Sequence, residues 1–504
     1  MLARKSLLLF AVKMAESALG FLSTVIIARW MGAAALGTVG YLLGLLGLLA
    51  ALLDMGSSLA HLKRVSETDQ DPAPLIGTFL VIRVALAVVF LLAVILLPAV
   101  KDYLGQPLLR TRDEWYTYWI IAAFYVLVSL SSIFIYTFEA RLETAREGIL
   151  TFGGSLFSFV AKAVVALAGW GPIALSVAYL TEPVARLGLA FPLFRGYRLA
   201  WGKREHFTSY IRYALPLTLT TALSLVVSNV SPVVIGAFWT AAEVGYYSSV
   251  LGFGFALGGV AATVMALFLP QASNDVAQGN WAEVRRRLFV IERYVLTVLV
   301  PFGVVLSFFS KEIVAVALGA EFAPAAAILV CLAVNSMVTA LFQPYRTVLY
   351  AAEKQSSLVV SDAIGLVVLL LVDALLVPRQ LGGLMLPGLG GVGAALGLIA
   401  LAVTSGLLQV RVVRRHAGIG FYWKGGLHLL AGGVMYAAMQ ALGRVAPLSL
   451  WLRLPLLALL GLAVHLVVLA VAGQFTRADL RVFLNMLHPQ RMVEYVSSEL
   501  EHTD

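Results

Sequence analysis

The first two apolar runs of the chain carry charged side chains that could bind an anion. Lys13 and Glu16 lie inside the first run, and Arg29 lies near its end. Asp54 closes the second run. Each run is about 20 residues long, enough to cross a bilayer as a helix. A charge inside a spanning helix costs roughly 2.5 to 3.5 kcal/mol on insertion scales, so these side chains are expected to face a water-filled cavity or a partner.

Further polar residues inside apolar runs extend the set of candidate binding residues. Arg83 and Lys162 could bind phosphate, or could extend their long side chains to an interface. Asn229 lies near Pro232, where opened helix backbone could bind sugars, although plain helix packing explains it too. Four residues of the second half complete the set: Asn335, Arg346, Asp362 and Asp373. The two aspartates could bind a coupling proton or sodium ion.

Nearby charges also suggest purely structural pairs. Lys13 and Glu16 are three residues apart, so they can pair on one helical face. Glu182 and Arg186 are four residues apart, and a structural pair is the favoured interpretation. The segment ARLETARE (140–147) is expected to form a solvated helical turn at the inner membrane surface.

No catalytic, metal or cofactor site is predicted. The one cysteine, Cys331, lies in an apolar run, and the seven histidines lack metal-ligand spacing. No GxxxxGK[ST] phosphate loop is present. The glycines of GLGGVGAALG (388–397) lie in an apolar span, where close helix packing explains them better than a dinucleotide site. The chain is therefore expected not to be an enzyme.

The elements that carry these residues are predicted to be membrane-spanning helices. Hydrophobic residues make up 61% of the 504 residues and charged ones only 12%, which is too little charge for a soluble surface. Fourteen spans are predicted: 7–28, 35–54, 75–98, 115–138, 149–169, 172–194, 211–238, 244–270, 290–309, 323–350, 357–378, 388–410, 425–443 and 451–473. The sequence thus predicts an all-α polytopic membrane protein.

The distribution of basic residues predicts the orientation. With the N-terminus inside, Lys and Arg are about threefold more frequent in inner than in outer loops, as the positive-inside rule requires. Both termini are then cytoplasmic. This rule also explains the net charge of +9, so a nucleic-acid partner is not expected.

The first twelve spans read as two copies of six. ARWMGAAALGTVGY (28–41) aligns with GAFWTAAEVGYYSS (236–249), which places Gly37 against Gly245. A second pair of segments (143–150 and 350–357) aligns at nearly the same offset. We expect a six-helix bundle in 1–200, a second in 201–418 related by a pseudo-twofold, and two additional helices with a cytoplasmic tail in 419–504. The additional helices contain few polar residues besides His428, Gln440 and His465.

Five segments in this order resemble the polysaccharide-type flippases of the multidrug/oligosaccharidyl-lipid/polysaccharide exporter superfamily. They are IIARWMGAAALGTVGY (26–41), LLDMGSSLAHLKRV (52–65), YALPLTLTTALSLVVSNVSPVVIGAFWTAAEVGYYSS (213–249), LFLPQASNDVAQGN (267–280) and GLGGVGAALGLIAL (388–401). The resemblance implies two six-helix bundles around a central cavity, with alternating access. Arg29, within IIARWMG, matches a cavity arginine of the related flippases of lipid-linked peptidoglycan precursors.

The resemblance also implies the substrate, and with it we predict the partners. The substrate would be a polyprenyl-linked oligosaccharide, moved from the cytoplasmic to the outer leaflet of the cell (inner) membrane. Membrane lipids, a coupling proton or sodium ion, and glycan polymerases or transferases would be the partners.

Two alternatives remain at the sequence level. A multidrug antiporter of the same superfamily would typically have twelve spans and fewer basic residues within the membrane. A multi-span glycan polymerase or ligase would usually carry a large outer loop, and no such loop is present.

Overall fold

Helices make up most of the part of the chain that the computed structural model describes, which is residues 2–68, 71–103, 109, 111–445, 449–476 and 479. The helices are α1 (Leu2–Leu49), α2 (Ala51–Asp54), α3 (Ser57–Ser66), α4 (Ala73–Tyr103), α5 (Arg112–Ala140), α6 (Thr144–Leu167), α7 (Pro172–Leu193), α8 (Arg204–Phe238), α9 (Ala241–Ala277), α10 (Trp281–Phe308), α11 (Ser310–Ala317), α12 (Ala325–Ala351), α13 (Gln355–Leu376), α14 (Gly391–Ala417), α15 (Gly425–Val445) and α16 (Leu450–Val471). A 3₁₀ turn (Ala320–Phe322) and two short antiparallel strands, β1 (Gln380–Leu381) and β2 (Leu384–Met385), complete the set.

Long apolar helices confirm the predicted all-α membrane architecture. Among the described residues, 11 helices are long and apolar enough to cross a bilayer. Every predicted span falls on a helix, and α1 contains the first span and most of the second. Helices suit this environment because they satisfy their backbone hydrogen bonds within the segment. The count of fourteen spans is consistent with this set and stays a prediction.

The chain forms two compact units, Met1–Ser249 and Val250–Asp504. The boundary between the units falls inside α9, near its start. The predicted division at residue 200 follows the sequence repeat instead, and it stays a prediction.

Each unit has its own buried core. In the first, α6 packs between α1 and α7, and Phe79, Phe138 and Tyr210 belong to an aromatic cluster nearby. In the second, α14 packs against α12 and α13, and α10 packs against α12 and α15. Met435 of α15 and Leu457 of α16 join the same cluster as residues of α10. The two C-terminal helices are therefore part of the core of the second unit.

The first two predicted spans are joined by a bend instead of a loop. Helix α1 runs through both spans, and only Gly32 leaves helical geometry, with φ 78° and ψ 176°. The second interruption lies at Met55 and Gly56, where φ is 43° and 76°. The chain then resumes as α3, so the helical path breaks directly after the second predicted span, which ends at residue 54.

The aligned glycines of the sequence repeat contact each other in the first unit. A Cβ atom on Gly37 would overlap the carbonyl oxygen of Ala241, and one on Gly245 would overlap the carbonyl oxygen of Ala33. Ala33 and Ala241 are themselves aligned in the repeat, so the contact is reciprocal. A local twofold relation between the repeated segments produces this pattern, and only glycine lets the two backbones approach so closely.

Candidate functional site

Asp54 and Arg83, predicted separately as binding residues, meet at the break between α2 and α3. An Arg83 nitrogen (Nη2) lies 2.7 Å from Asp54 Oδ1, and the side chains are only 4% and 20% exposed. Arg83 also donates to the Leu53 carbonyl at 2.6 Å and to the Ser129 hydroxyl at 3.2 Å. It donates to the Ser58 hydroxyl as well, so the guanidinium is held by groups on α2, α3 and α5.

These contacts replace the hydrogen bonds that a broken helix loses. The Asp54 carboxylate accepts from the backbone N–H groups of Gly56 and Ser58, both at 3.2 Å, and so caps α3. The Thr218 hydroxyl of α8 donates to the Met55 carbonyl at 2.9 Å. Backbone groups inside a membrane cannot form hydrogen bonds with water. The hydrogen bonds from Asp54 and Thr218 are therefore what allows the helix to break here. A role of Asp54 or Arg83 in binding substrate stays a prediction.

A cluster of six charged residues lies where α1, α6 and α7 pack together. The charge cluster consists of Lys13, Glu16, Glu147, Lys162, Glu182 and Arg186. Glu182 and Arg186 form the expected pair, at 2.5 Å. Glu16 lies close enough to both to interact electrostatically, with Thr151 beside its carboxylate. Three of these side chains are positive and three are negative, and Glu139 of α5 adds a further negative charge near Glu147.

Lys162 is the most enclosed base of the charge cluster. Its Nζ lies 3.7 Å from the centre of the Tyr179 ring, which is a cation–π contact. Glu182 adds an electrostatic attraction. The side chain is buried, so it does not extend to an interface in this conformation.

Lys13 is the accessible base of the same cluster. It is exposed, and its charge acts on both Glu16 and Glu147. Arg29, also exposed, lies on the same straight segment of α1, before the bend at Gly32. Sixteen residues of helix separate the two bases, which is about 24 Å along the axis. One helix thus carries an exposed base near each end of the first predicted span.

Asn229 lies against the second half of α1. Its amide donates to the Leu225 carbonyl at 2.8 Å, and its side-chain oxygen occupies the space beside Gly47. The Tyr125 hydroxyl is close to the same glycine and donates to the Leu43 carbonyl at 2.8 Å. The local contacts support helix packing, and sugar binding stays a prediction.

The candidates of the second unit divide into one network and two separate residues. Arg346 pairs with Asp362 at 2.9 Å, and Gln409 donates to the same carboxylate at 3.2 Å. Asp373 is fully buried, and neither of its oxygens has a hydrogen-bond partner within the described ranges. Asn335 likewise leaves its side-chain oxygen unpartnered there. Asp373 is thus the more available of the two aspartates for a coupling ion.

The turn expected to be solvated at 140–147 is partly buried. The Tyr197 hydroxyl donates to Glu143 at 2.9 Å, and Arg146 pairs with Glu143 at 2.8 Å. Burial, together with the Glu143 carboxylate, raises the pKa of Tyr197 to about 12. Glu147 is buried against α1 and belongs to the charge cluster, so the expectation of a solvated turn was wrong for this residue.

Sequence reasoning missed Glu147 and Glu292. Glu147 was counted with the loop before α6, and Glu292 lies at the edge of a predicted span. The signal was available for Glu292, since an acidic residue within a span is unusual. Helix α10 begins eleven residues before it, so Glu292 lies about three turns inside the helix.

Comparisons with known proteins agree with this architecture. The sequence model of the family described as "Polysaccharide biosynthesis protein" matches residues 26–327. A structure of the lipid II flippase MurJ in an inward closed conformation matches with a TM-score of 0.75 and 15% identity, over 92% of this chain and 98% of that one. An inward-facing multidrug resistance MATE transporter of the MOP superfamily matches with a TM-score of 0.58 and 14% identity, over 82% and 98%.

The family match decides the classification. Among curated proteins, no sequence matches the chain. The two structural matches show a shared fold, in line with the resemblance to polysaccharide-type flippases. Because the family model covers more than half of the sequence, the chain belongs to the polysaccharide biosynthesis protein family.

Proposed function

We propose that the protein is a flippase that moves a lipid-linked oligosaccharide from the cytoplasmic to the outer leaflet by alternating access. The headgroup of such a substrate carries phosphates and sugars, which must cross an apolar layer about 30 Å thick. It therefore needs bases for the phosphates, polar groups for the sugars, and a conformational change that opens each side in turn.

The charge cluster is the observation that carries this proposal. It places Lys13, exposed, next to acidic groups that hold Lys162 and Arg186 within the helical packing. A base attracts a phosphate through charge-assisted hydrogen bonds, which are stronger where water is scarce. Arg29, about 24 Å further along α1, offers a second anion contact. We propose that the phosphate groups pass between these two positions.

The remaining features of the proposal follow from family and topology. The protein would lie in the cell (inner) membrane with both termini in the cytoplasm, as the basic inner loops favour. Asp373 would bind the coupling proton or sodium ion, because its buried carboxylate has no hydrogen-bond partner among the described residues. Glycan polymerases or transferases would supply or consume the substrate, and the protein itself would catalyse no covalent step.

Removing either lysine of the charge cluster is expected to abolish export of the surface glycan. The change is Lys13→Ala or Lys162→Ala, and the measurement is surface glycan per amount of membrane-inserted protein. Lys311→Ala is the matched control, because Lys311 is an exposed lysine on α11, which belongs to the other compact unit. Normal export in both cluster variants would contradict the proposed phosphate contacts.

A cation-coupled export of small molecules is the second candidate function. The match to a multidrug MATE transporter and the buried Asp373 favour it. An exporter of cationic drugs would not need exposed bases on α1, so drug resistance that survives Lys13→Ala and fails with Asp373→Asn would support this alternative.

A further inference from the structure

Three buried titratable side chains lie where α10 packs against the two C-terminal helices. They are Glu292 on α10, His428 in the first turn of α15, and His465 on α16, each 0% exposed. Neither carboxylate oxygen and none of the four ring nitrogens has a hydrogen-bond partner in the described part of the chain. Buried polar atoms nearly always have a hydrogen-bond partner, so six buried atoms without one need an explanation.

The three side chains are neighbours. Glu292 Oε1 lies 3.5 Å from the position that a Cβ atom would occupy on Gly425, the first residue of α15. His428 is three residues further along, so it lies one turn away on the same face. His428 in turn is close enough to His465 to interact electrostatically. The carboxyl group thus lies beside the start of α15, and the two imidazoles lie together one turn further along that helix.

The surrounding groups leave this site without a compensating charge of its own. The Tyr345 hydroxyl of α12 lies beside Glu292 and carries no charge; it accepts from the Tyr422 backbone N–H at 2.9 Å, which leaves its own O–H directed to other neighbours such as Glu292. Arg293 is near His428, but it donates to Asp479 at 2.7 Å. The connections to and from α15 and α16 add Tyr422, Gln474 and Asp479; the first two bond each other at 2.8 Å. Helix α11 meets α10 at its far end, about 24 Å away.

An ionised carboxylate in these surroundings would be very costly, because it is fully buried and no positive side chain of the described residues pairs with it. The neutral carboxylic acid is therefore the stable form of Glu292, and the two imidazoles are neutral for the same reason. Across the described residues, no group of three His, Cys, Asp or Glu side chains is arranged to hold a metal ion. The ligand that fits the site is a proton.

We propose that Glu292, His428 and His465 form a proton-binding site that exchanges one proton with the solution during each conformational cycle. The proposal rests on the transport function proposed above, and it makes this site necessary for coupling in addition to the ion site at Asp373. When the conformational change brings the two side chains within hydrogen-bond distance, the proton leaves a Glu292 oxygen, the electron pair of the O–H bond stays on the carboxylate, and a ring nitrogen of His428 accepts the proton. The resulting carboxylate and imidazolium attract each other, so this state draws α10 and α15 together.

A polar group formed by Arg293, Tyr294 and Asp479 connects the proton site with the protein surface. Arg293 adjoins both Glu292 and His428, and its side chain is 22% exposed, whereas Asp479 is 4% exposed. Tyr294 also donates to Asp479, at 2.8 Å. A proton from His428 can reach the surface through this polar group. The two C-terminal helices thereby acquire a role in coupling.

The first test is infrared spectroscopy of the purified full-length protein, titrated from acidic to alkaline buffer. The wild-type protein is expected to show a protonated carboxylic acid band that Glu292→Gln removes. His428→Gln and His465→Gln are expected to shift this band, because each alters the surroundings of the proton. Asp373→Asn is the matched control, as it removes another buried, unpartnered carboxyl group and should leave the Glu292 band unchanged. A spectrum in which Glu292→Gln removes no band would overturn the proposal.

The second test uses vesicles that contain a fluorescent lipid-linked oligosaccharide, with and without a pH gradient. The gradient is expected to accelerate flipping by the wild type, and Glu292→Gln is expected to retain only the rate seen without a gradient. Full acceleration in Glu292→Gln would overturn the coupling role. If no vesicle shows flipping, the proposed substrate is wrong, and the infrared result alone still decides whether the proton site exists.

Discussion

Replacing Arg83 by methionine is expected to lower the free energy of unfolding by about 3 to 5 kcal/mol, because it leaves a largely buried carboxylate without its partner. The methionine keeps much of the side-chain volume, so the loss reports the lost charge and hydrogen bonds and not a large cavity. Arg83 bonds Asp54, the Leu53 carbonyl and Ser129, so the break between α2 and α3 loses its main support. Denaturant titration of the purified protein, followed by helical circular dichroism, measures the effect.

Arg64→Met is the matched control for Arg83→Met. Arg64 pairs with Glu67 at 3.0 Å on the adjoining helix α3, but the partner is half exposed. Surface pairs of this kind contribute less than about 1 kcal/mol. A double-mutant cycle of Arg83→Met with Asp54→Asn should show strong coupling. Equal losses for Arg83→Met and Arg64→Met would show that the break does not depend on the buried pair.

Adding a single methyl group at Gly37 or Gly245 is expected to cost about 1 to 3 kcal/mol, the usual range for overpacking. The new Cβ would overlap a backbone carbonyl oxygen, and a backbone cannot move aside by changing rotamer. The two helices must separate, so the second substitution should cost less once the first is present. Thermal unfolding of Gly37→Ala, Gly245→Ala and the double variant measures this.

Gly20→Ala is the control on the same helix. No atom lies within 4 Å of a Cβ built there, so the substitution should be neutral or stabilising by up to about 1 kcal/mol. If Gly37→Ala behaved like Gly20→Ala, the reciprocal contact between the repeated segments would be disproved.

The positions of the spans could be predicted because a bilayer imposes a length and a composition on each helix. The repeat was also visible, since Gly37 and Gly245 align by sequence alone. The break at Met55 and Gly56 was not visible: the sequence indicates Gly56, but not the support from Arg83 of α4 and Thr218 of α8. Such support depends on contacts between helices that are distant in sequence, and a hydropathy pattern does not reveal these contacts.

The residues of the candidate site could be predicted from the sequence, but the contacts between their side chains could be predicted only in part. Lys13 and Lys162 were identified because charges within spans are costly. Their grouping with Glu147 depends on how α1 packs on α6, and the expected pairing of Lys13 with Glu16 is only part of a larger cluster. His428 was seen only as an isolated polar residue, since its neighbours are on other helices.

The central claim is that the protein moves a lipid-linked oligosaccharide across the bilayer, and one vesicle measurement tests it most directly. Purified protein is inserted into vesicles with a fluorescent polyprenyl-linked oligosaccharide, and a membrane-impermeant quencher reports the fraction that reaches the outer leaflet. We expect rapid flipping with the wild type and the Lys311→Ala control, and the rate of protein-free vesicles with Lys13→Ala and Lys162→Ala. Wild-type vesicles that flip no faster than protein-free ones, while exporting an organic cation, would contradict the account.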